Sequence, residues 1–292
     1  MNDRFRPGEY YRPQSLGEAT DILGKLGKGA RVIAGGTDLL VTRPQGVTSL
    51  LDVSRLALDY ISRDKDSFHI GAATRVREIE NAPEFSSEPY RALGEAAGSL
   101  ATATIRNMAT LGGNLCNASP AADLPLPCIA LDASVKIAGP GGTRKLSLAD
   151  FYKGVNETVL EDDELLVEVQ IPFAKEKAGT SFQKLRHHQT SVDIAIVNVA
   201  TRIICINERC EVVKIVLGAV APTPIRAKNA EALLKGKIMG DELLNKAAEA
   251  AAGESRPIDD LRASANYRKK MVKVLVERAL RTSIRRCETC QE

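Results

Sequence analysis

The alternation of apolar and polar positions along these 292 residues changes character near residue 175. In SLGEATDILGKLGKG, residues 15 to 29, apolar side chains at 16, 19, 22, 23 and 26 stand between a Ser and a Gly, a spacing that predicts a helix with a Ser N-cap and a glycine stop. ARVIAGGTDLL follows as a short strand running into a glycine turn. SLLDVSRL and FHIGAATRVREIE predict two more strands, the second feeding a helix, and YRALGEAAGSLA predicts a further helix, so the opening is alternating α/β. PCIALDASVKIAGPGGTRKLSLADFY predicts helix, strand, Gly-Pro turn, strand and a Ser-capped helical turn, and DELLVEVQIP a strand ended by Pro.

Beyond residue 175, SFQKLRH, VDIAIVNVATRIICI and EVVKIVLGAV predict three consecutive strands of an antiparallel meander, with NERC as the turn between the last two. Helices are expected near 226–236, 241–253 and 265–286, covering one face of that sheet. The change from α/β to α+β places a domain boundary at 175, giving domains 1–175 and 176–292.

Composition narrows the function classes. Hydrophobic residues make up 44% and charged residues 26%, a globular balance rather than a disordered one. Aromatic residues are only 4%, with no Trp, so the core is built from Ala, Val, Ile and Leu, and stacking platforms for nucleic acid are scarce. A net charge of +3 falls short of a nucleic-acid binder's basic footprint. Residues 261 to 292 hold nine Lys and Arg against three Glu, read as a solvated helix face or a basic rim toward a partner subunit. The charged start, MNDRFRPGEYYRPQSL, lacks a secretory h-region, and no apolar run reaches the roughly 18 residues that span a bilayer. A cytoplasmic protein without a membrane span is expected.

Cysteines at 116, 128, 205, 210, 287 and 290 lack the dense spacing of a disulfide scaffold and fit a reducing compartment. The terminal CETC is a lone CxxC without a second pair or a suitably spaced His, so no metal site is assigned.

Two glycine turns carry the candidate chemistry: VIAGGTDLL at 32–40 and ATLGGNLCNASPAADL at 109–124. Glycine permits positive φ and removes the Cβ, so successive N–H groups can converge on an anion. Thr37, Thr110 and Ser119 offer hydroxyls, and two such loops facing each other make a cradle for a pyrophosphate. Ordinary connecting turns are the alternative. Neither GxGxxG after a strand nor GxxxxGK[ST] occurs. His69, His187 and His188 form no HxxxH pair, and no GxSxG elbow is present, so no catalytic residue is nominated.

Six ordered motifs, AGGTDLL, IRNMATLGGNLCNASPAADL, ELLVEVQIP, FQKLRHHQTSVDIAIVNVA, GAVAPTPIRA and SANYRKKMVKVLVERAL, span nearly the whole chain. Together they resemble the FAD-binding medium subunit of molybdenum hydroxylases, the group of carbon monoxide, nicotinate and xanthine dehydrogenases and aldehyde oxidoreductases. The resemblance implies two small α/β subdomains, about 1–55 and 56–175, that bind FAD, followed by a three-stranded antiparallel sheet with helices.

It implies that Ile33, Ala34, Gly35, Gly36, Thr37, Asp38 and Leu39, with Thr110, Leu111, Gly112, Gly113 and Asn114, contact the pyrophosphate and ribityl parts. Ser119 and Asp123 match positions that reach the cofactor. Leu166, or its neighbour Leu165, matches an adenine-side contact, Lys184 a lysine near the flavin, and Asp193 and Ile194 a stretch approaching the ring. Cys116 and Cys128 stand alone, so no iron–sulfur cluster is expected in this chain.

The partners implied are a molybdopterin-binding large subunit and a [2Fe-2S] small subunit in a heterotrimer, with NAD or a quinone as electron acceptor. A stand-alone FAD-dependent oxidoreductase and a non-redox nucleotide-binding module are the alternatives.

Overall fold

The fold is that of a computed structural model, which describes residues 5–174, 176–186 and 194–289. Its first part contains β1 (Glu9–Tyr11), α1 (Leu16–Leu26), β2 (Ala30–Ile33), α2 (Leu39–Thr42) and β3 (Ser49–Asp52). The strands form a parallel sheet in the order β1-β3-β2. Ser15 caps α1 as its sequence signals: its Oγ accepts the Glu18 N–H at 3.2 Å, and Gly27, at φ 53°, ends the helix. Ala19 and Leu23 on the apolar stripe of α1 are buried.

The second part contains β4 (Ile61–Arg63), β5 (Ser67–Gly71), α3 (Val76–Asn81), α4 (Arg91–Ser99), α5 (Ala103–Arg106), α6 (Leu111–Cys116), α7 (Pro125–Ala130), β6 (Ser134–Gly139), β7 (Gly142–Ser147), β8 (Tyr152–Gly154), β9 (Glu157–Thr158) and β10 (Leu165–Pro172). Five strands pair antiparallel throughout in the order β4-β5-β10-β6-β7. Period-two alternation divides their side chains. Phe68, Ile70, Val135, Ile137, Val169 and Ile171 enter the main core, whereas Ala138, Leu165 and Val167 pack with Leu23 and Leu51 of the first part.

A polar network lies along these strands. His69 Nδ1 meets Glu168 Oε1 at 3.1 Å and its Nε2 meets Asp64 Oδ2 at 2.9 Å, while the Tyr60 hydroxyl donates to Glu168 at 2.6 Å. Burial disfavours the imidazolium, but hydrogen bonds to Glu168 and Asp64 outweigh it and raise the His69 pKa. A raised histidine pKa adds stability that is complete below the unfolded value of about 6.5 and is lost as pH climbs through the folded value. His69 is therefore expected to favour pH 6 over pH 8, and His69→Gln should shift the change in melting temperature between pH 6 and pH 8 in favour of pH 8 relative to the wild-type chain. An unchanged difference in thermal melts of the variant would contradict this role.

The third part contains β11 (Gly179–Leu185), β12 (Val197–Ile206), β13 (Arg209–Gly218), β14 (Ile225–Arg226), α8 (Lys228–Leu234), α9 (Asp241–Glu254) and α10 (Ala265–Thr289). The sheet is antiparallel in strand order, with β14 added to the expected meander. One face gives Phe182, Ala200 and Val216 to the main core; the other gives Val197, Val199, Ile203, Ile215 and Leu217 to a core shared with α8, α9 and α10.

The free edge of β11 is covered. Glu88 accepts the Thr180 N–H at 2.8 Å, Glu95 accepts the Phe182 N–H at 3.1 Å, and Arg286 of α10 pairs with Glu95 at 2.5 Å. Carboxylates thus take the donors that an exposed edge would leave open. Among the described residues, no helix is long and apolar enough to cross a membrane.

Candidate functional site

The chain passes from β2 into α2 through residues 34–38. Gly36, at φ 68°, adopts the left-handed conformation that glycine allows most readily. Among the described residues, the backbone N–H groups of Gly35, Gly36, Thr37, Asp38 and Leu39 have no acceptor within the chain. The next donor, the Leu40 N–H, closes onto the Gly36 carbonyl at 3.1 Å. Successive unspent N–H groups on such a turn form a concave, partly positive surface suited to an anion. Desolvation raises the pKa of the Asp38 carboxyl beside them.

The second glycine segment is organised differently. Arg106 is buried beneath it, with Nε and Nη2 donating to Glu80 at 2.7 and 3.1 Å and Nη1 donating to the Leu100 and Ala101 carbonyls at 3.0 Å each. Thr110 caps α6 through its Oγ, which accepts the Gly113 N–H at 3.1 Å. The Leu111 N–H goes to Thr74 O at 2.9 Å, that of Gly112 to Ala72 O at 2.8 Å, and that of Asn114 to Thr110 O at 3.0 Å. Residues 35–39 thus offer a run of free N–H donors, and residues 111–114 do not. Residues 111–114 of the second segment spend their donors on capping and on the carbonyls of Ala72 and Thr74.

The two segments are nevertheless in direct contact. A Cβ at Gly35 would stand 1.9 Å from the Met108 carbonyl oxygen and 3.0 Å from the Ala109 nitrogen, so backbone meets backbone where any side chain would intervene. Gly112 faces inward, where a Cβ would lie 2.7 Å from both the Cβ and the carbonyl oxygen of Ala72. Gly113 is exposed, and its nearest obstacle is its own cap, Thr110 Oγ, at 2.9 Å. Asn114 Oδ1 is buried without a hydrogen-bond partner, an acceptor that a hydroxyl or amide donor would satisfy. A diphosphate linked to polyhydroxyl groups fits this combination of free N–H donors, an orphaned acceptor and an exposed glycine.

The other expected contacts are distributed unevenly. Asp123 and Lys184 meet each other: Nζ and Oδ2 are 2.5 Å apart, and both side chains are 5% exposed. Asn198 Nδ2 donates to Asp123 Oδ1 at 2.9 Å and to Ala122 O at 3.2 Å, while Lys184 Nζ and Arg186 Nη2 reach Ser99 O at 3.4 and 2.7 Å. Burial raises the Asp123 pKa against the downward pull of Lys184 and Asn198. This latch joins the segment after α6 to β11 and β12. Ser119 is half-buried, and its Oγ accepts the Ala121 N–H at 3.4 Å.

Leu166 lies in the main core and Leu165 in the core shared with α1 and β3. Ile194 is 51% exposed. His187, His188 and Asp193 lie outside the described residues. Burial pushes the Cys116 and Cys128 thiols up to about 12, so both stay protonated at neutral pH.

Asn198, Arg186 and Met108 were not singled out by the sequence. Asn198 had a readable signal, a lone amide within the apolar run VDIAIVNVATRIICI. Met108 acts through its carbonyl, which no residue pattern encodes.

Two family models match the chain. Residues 3–174 match the FAD binding domain in molybdopterin dehydrogenase, and residues 181–283 match the CO dehydrogenase flavoprotein C-terminal domain. The carbon monoxide dehydrogenase medium chain of Hydrogenophaga pseudoflava is 32% identical, covering 96% of this chain and 98% of that relative. A putative xanthine dehydrogenase FAD-binding subunit of Escherichia coli is 30% identical, with 96% and 97% covered. A solved carbon monoxide dehydrogenase from Hydrogenophaga pseudoflava superposes with a TM-score of 0.92 at 33% identity, covering 97% of this chain and 99% of its counterpart. The matched models, the aligned relatives and the donor set of the glycine cradle agree: this chain belongs to the FAD-binding medium subunits of the molybdenum hydroxylase family, and its cofactor is FAD.

Proposed function

We propose that this chain is the electron-transfer subunit of a molybdenum-containing hydroxylase, passing electrons from the iron–sulfur clusters of a partner subunit to NAD, a quinone or another acceptor. The observation that carries the reading is the run of unspent N–H groups from Gly35 to Leu39, packed at Gly35 against the backbone of a second glycine segment whose Gly113 is exposed. FAD supplies one-electron uptake and two-electron release; the chain supplies binding, orientation and electrostatics.

Within that division, residues 35–39 hold the pyrophosphate by backbone donors, so no lysine is needed to neutralise it. Asn114 orients a polar group of the ribityl chain or sugar through its free Oδ1. Gly113 keeps the approach to α6 open. The Lys184–Asp123–Asn198 latch fixes residues 119–123 relative to β11 and β12, and so holds Ser119 in place. Leu40, Val41 and Met108, exposed by 47%, 76% and 53%, give the cradle an apolar rim of the kind that is buried against another protein surface, which supports a subunit role.

The test is expression of the chain alone and together with molybdopterin-binding and iron–sulfur subunits. The expected result is a flavin spectrum in both preparations, with substrate-driven flavin reduction only in the complex. Substrate turnover by the isolated chain, or a folded chain that takes up no FAD, would overturn the assignment.

A further inference from the structure

Three cysteines that the cofactor site does not use lie toward one end of the third sheet. Cys205 and Cys210 are register partners across β12 and β13, an arrangement that puts their side chains on one face. Both pack into the core beneath α8, α9 and α10. On the other side, β11 pairs with β12 so that Gly179 lies opposite Ile203. Lys177 lies two residues before Gly179, just outside β11.

Cys287, in the last turns of α10, donates its thiol to the Lys177 carbonyl at 3.7 Å. The helix reaches this point because Gly179 has no side chain: a Cβ there would stand 1.9 Å from Ser283 O and 2.5 Å from the Cys287 nitrogen. The helix contact at Gly179 thus brings Cys287 to the end of β11 that pairs with β12, where Cys205 lies two residues beyond Ile203, and Cys205 is the strongest influence on the Cys287 thiol. Cys287 is 2% exposed and Cys210 fully buried, so the group opens to solvent through the half-buried Cys205.

The Cys205 thiol favours the Cys287 thiolate; burial opposes it, and the backbone N–H groups of Cys205 and Gly179 reinforce it, lowering the Cys287 pKa to about 6. Burial instead pushes Cys210 up to about 12, and its thiol donates to Val212 O at 3.7 Å. Among the described residues, no group of three or more His, Cys, Asp or Glu side chains could hold a metal ion. The pair is therefore equipped for sulfur chemistry rather than metal ligation.

We propose that Cys205 and Cys287 form a reversible disulfide that fastens the end of α10 to β12, with a peroxide as oxidant. The Cys287 thiolate attacks one peroxide oxygen, the O–O bond breaks, and the departing hydroxide takes up a proton as water, leaving a sulfenic acid. The Cys205 sulfur then attacks the Cys287 sulfur; the S–S bond forms, the S–O bond breaks, and the hydroxyl leaves as water with the Cys205 proton. In sum, two thiols and one hydrogen peroxide give one disulfide and two waters.

The test treats the full chain carrying FAD with hydrogen peroxide, blocks remaining thiols, and maps peptides without reduction. The expected product joins the Cys205 and Cys287 peptides, two hydrogens lighter than their reduced sum, and dithiothreitol reverses it. The same link should form in Cys210→Ser and be absent in Cys205→Ser, and the oxidised wild-type chain should melt at a higher temperature than the reduced one at equal flavin content. A link from Cys205 to Cys210, a link from Cys287 to Cys290, or sulfinic and sulfonic acids without any link would overturn the proposal. The wild-type map decides the question even if a variant fails to fold.

Discussion

Gly35→Val is expected to abolish FAD retention and destabilise the chain, whereas Gly113→Leu should abolish retention with stability nearly kept. The two glycines look alike in sequence and differ in what surrounds them. At Gly35 any Cβ overlaps the Met108 carbonyl, which lies 1.9 Å from its position, and the obstacle is backbone that cannot rotate aside. Forcing the segments apart costs about 1–3 kcal/mol or more, the usual range for overpacking a close contact, and it moves the free N–H groups of residues 35–39 away from the surface they complete. At Gly113 the only obstacle is the Thr110 hydroxyl, so the added side chain projects outward at a cost of no more than about 1 kcal/mol, that of a weakened cap. Flavin absorbance per chain and urea midpoints separate the cases. Gly17→Ala on α1, where a Cβ meets nothing within 4 Å, is the control that should leave both readouts unharmed.

The second large effect is at the buried latch. Asp123→Ala leaves the Lys184 ammonium buried with, among the described residues, only the Ser99 carbonyl at 3.4 Å, and should lower stability by about 3–5 kcal/mol, the range for removing one partner of a buried pair. Lys184→Met should cost a comparable amount for the mirrored reason, softened by the Asn198 amide that still donates to Asp123. The double variant should lose less than the sum of the two, because neither charge is then stranded. Denaturant unfolding of the four proteins checks the cycle; strictly additive losses would show that Asp123 and Lys184 act separately. FAD affinity is expected to fall with either single change, since residues 119–123 lose their fixed position.

Most helices and strands were legible in the sequence because their signals are local. Ser15 and the glycine after α1, the Pro that ends β10, and the 3.6-residue stripe of α10 each report on a few neighbouring residues. β1, β4, β8, β9 and β14 were not legible: they are two or three residues long, and β1, β4 and β14 form on the edge of a longer strand while β8 and β9 pair only with each other. The glycine turns were recognisable as candidate anion sites, but their division of labour was not. Whether an N–H is free depends on distant carbonyls, those of Ala72 and Thr74 for α6 and none for Gly35 to Leu39. For the same reason the pairing of Asp123 with Lys184, sixty-one residues apart, was invisible, and both appeared as separate contacts.

The central claim is that the backbone of residues 35–39 holds the pyrophosphate of FAD. Amide NMR spectra of the isotope-labelled chain, recorded as FAD and then riboflavin are titrated into the stripped protein, test it most directly. The account predicts large downfield shifts of the Gly35 to Leu39 amide protons with FAD and small ones with riboflavin, which lacks the pyrophosphate, while the amides of Leu111 to Asn114 move little because their donors are already engaged. FAD binding that leaves the Gly35 to Leu39 amides unmoved would contradict it.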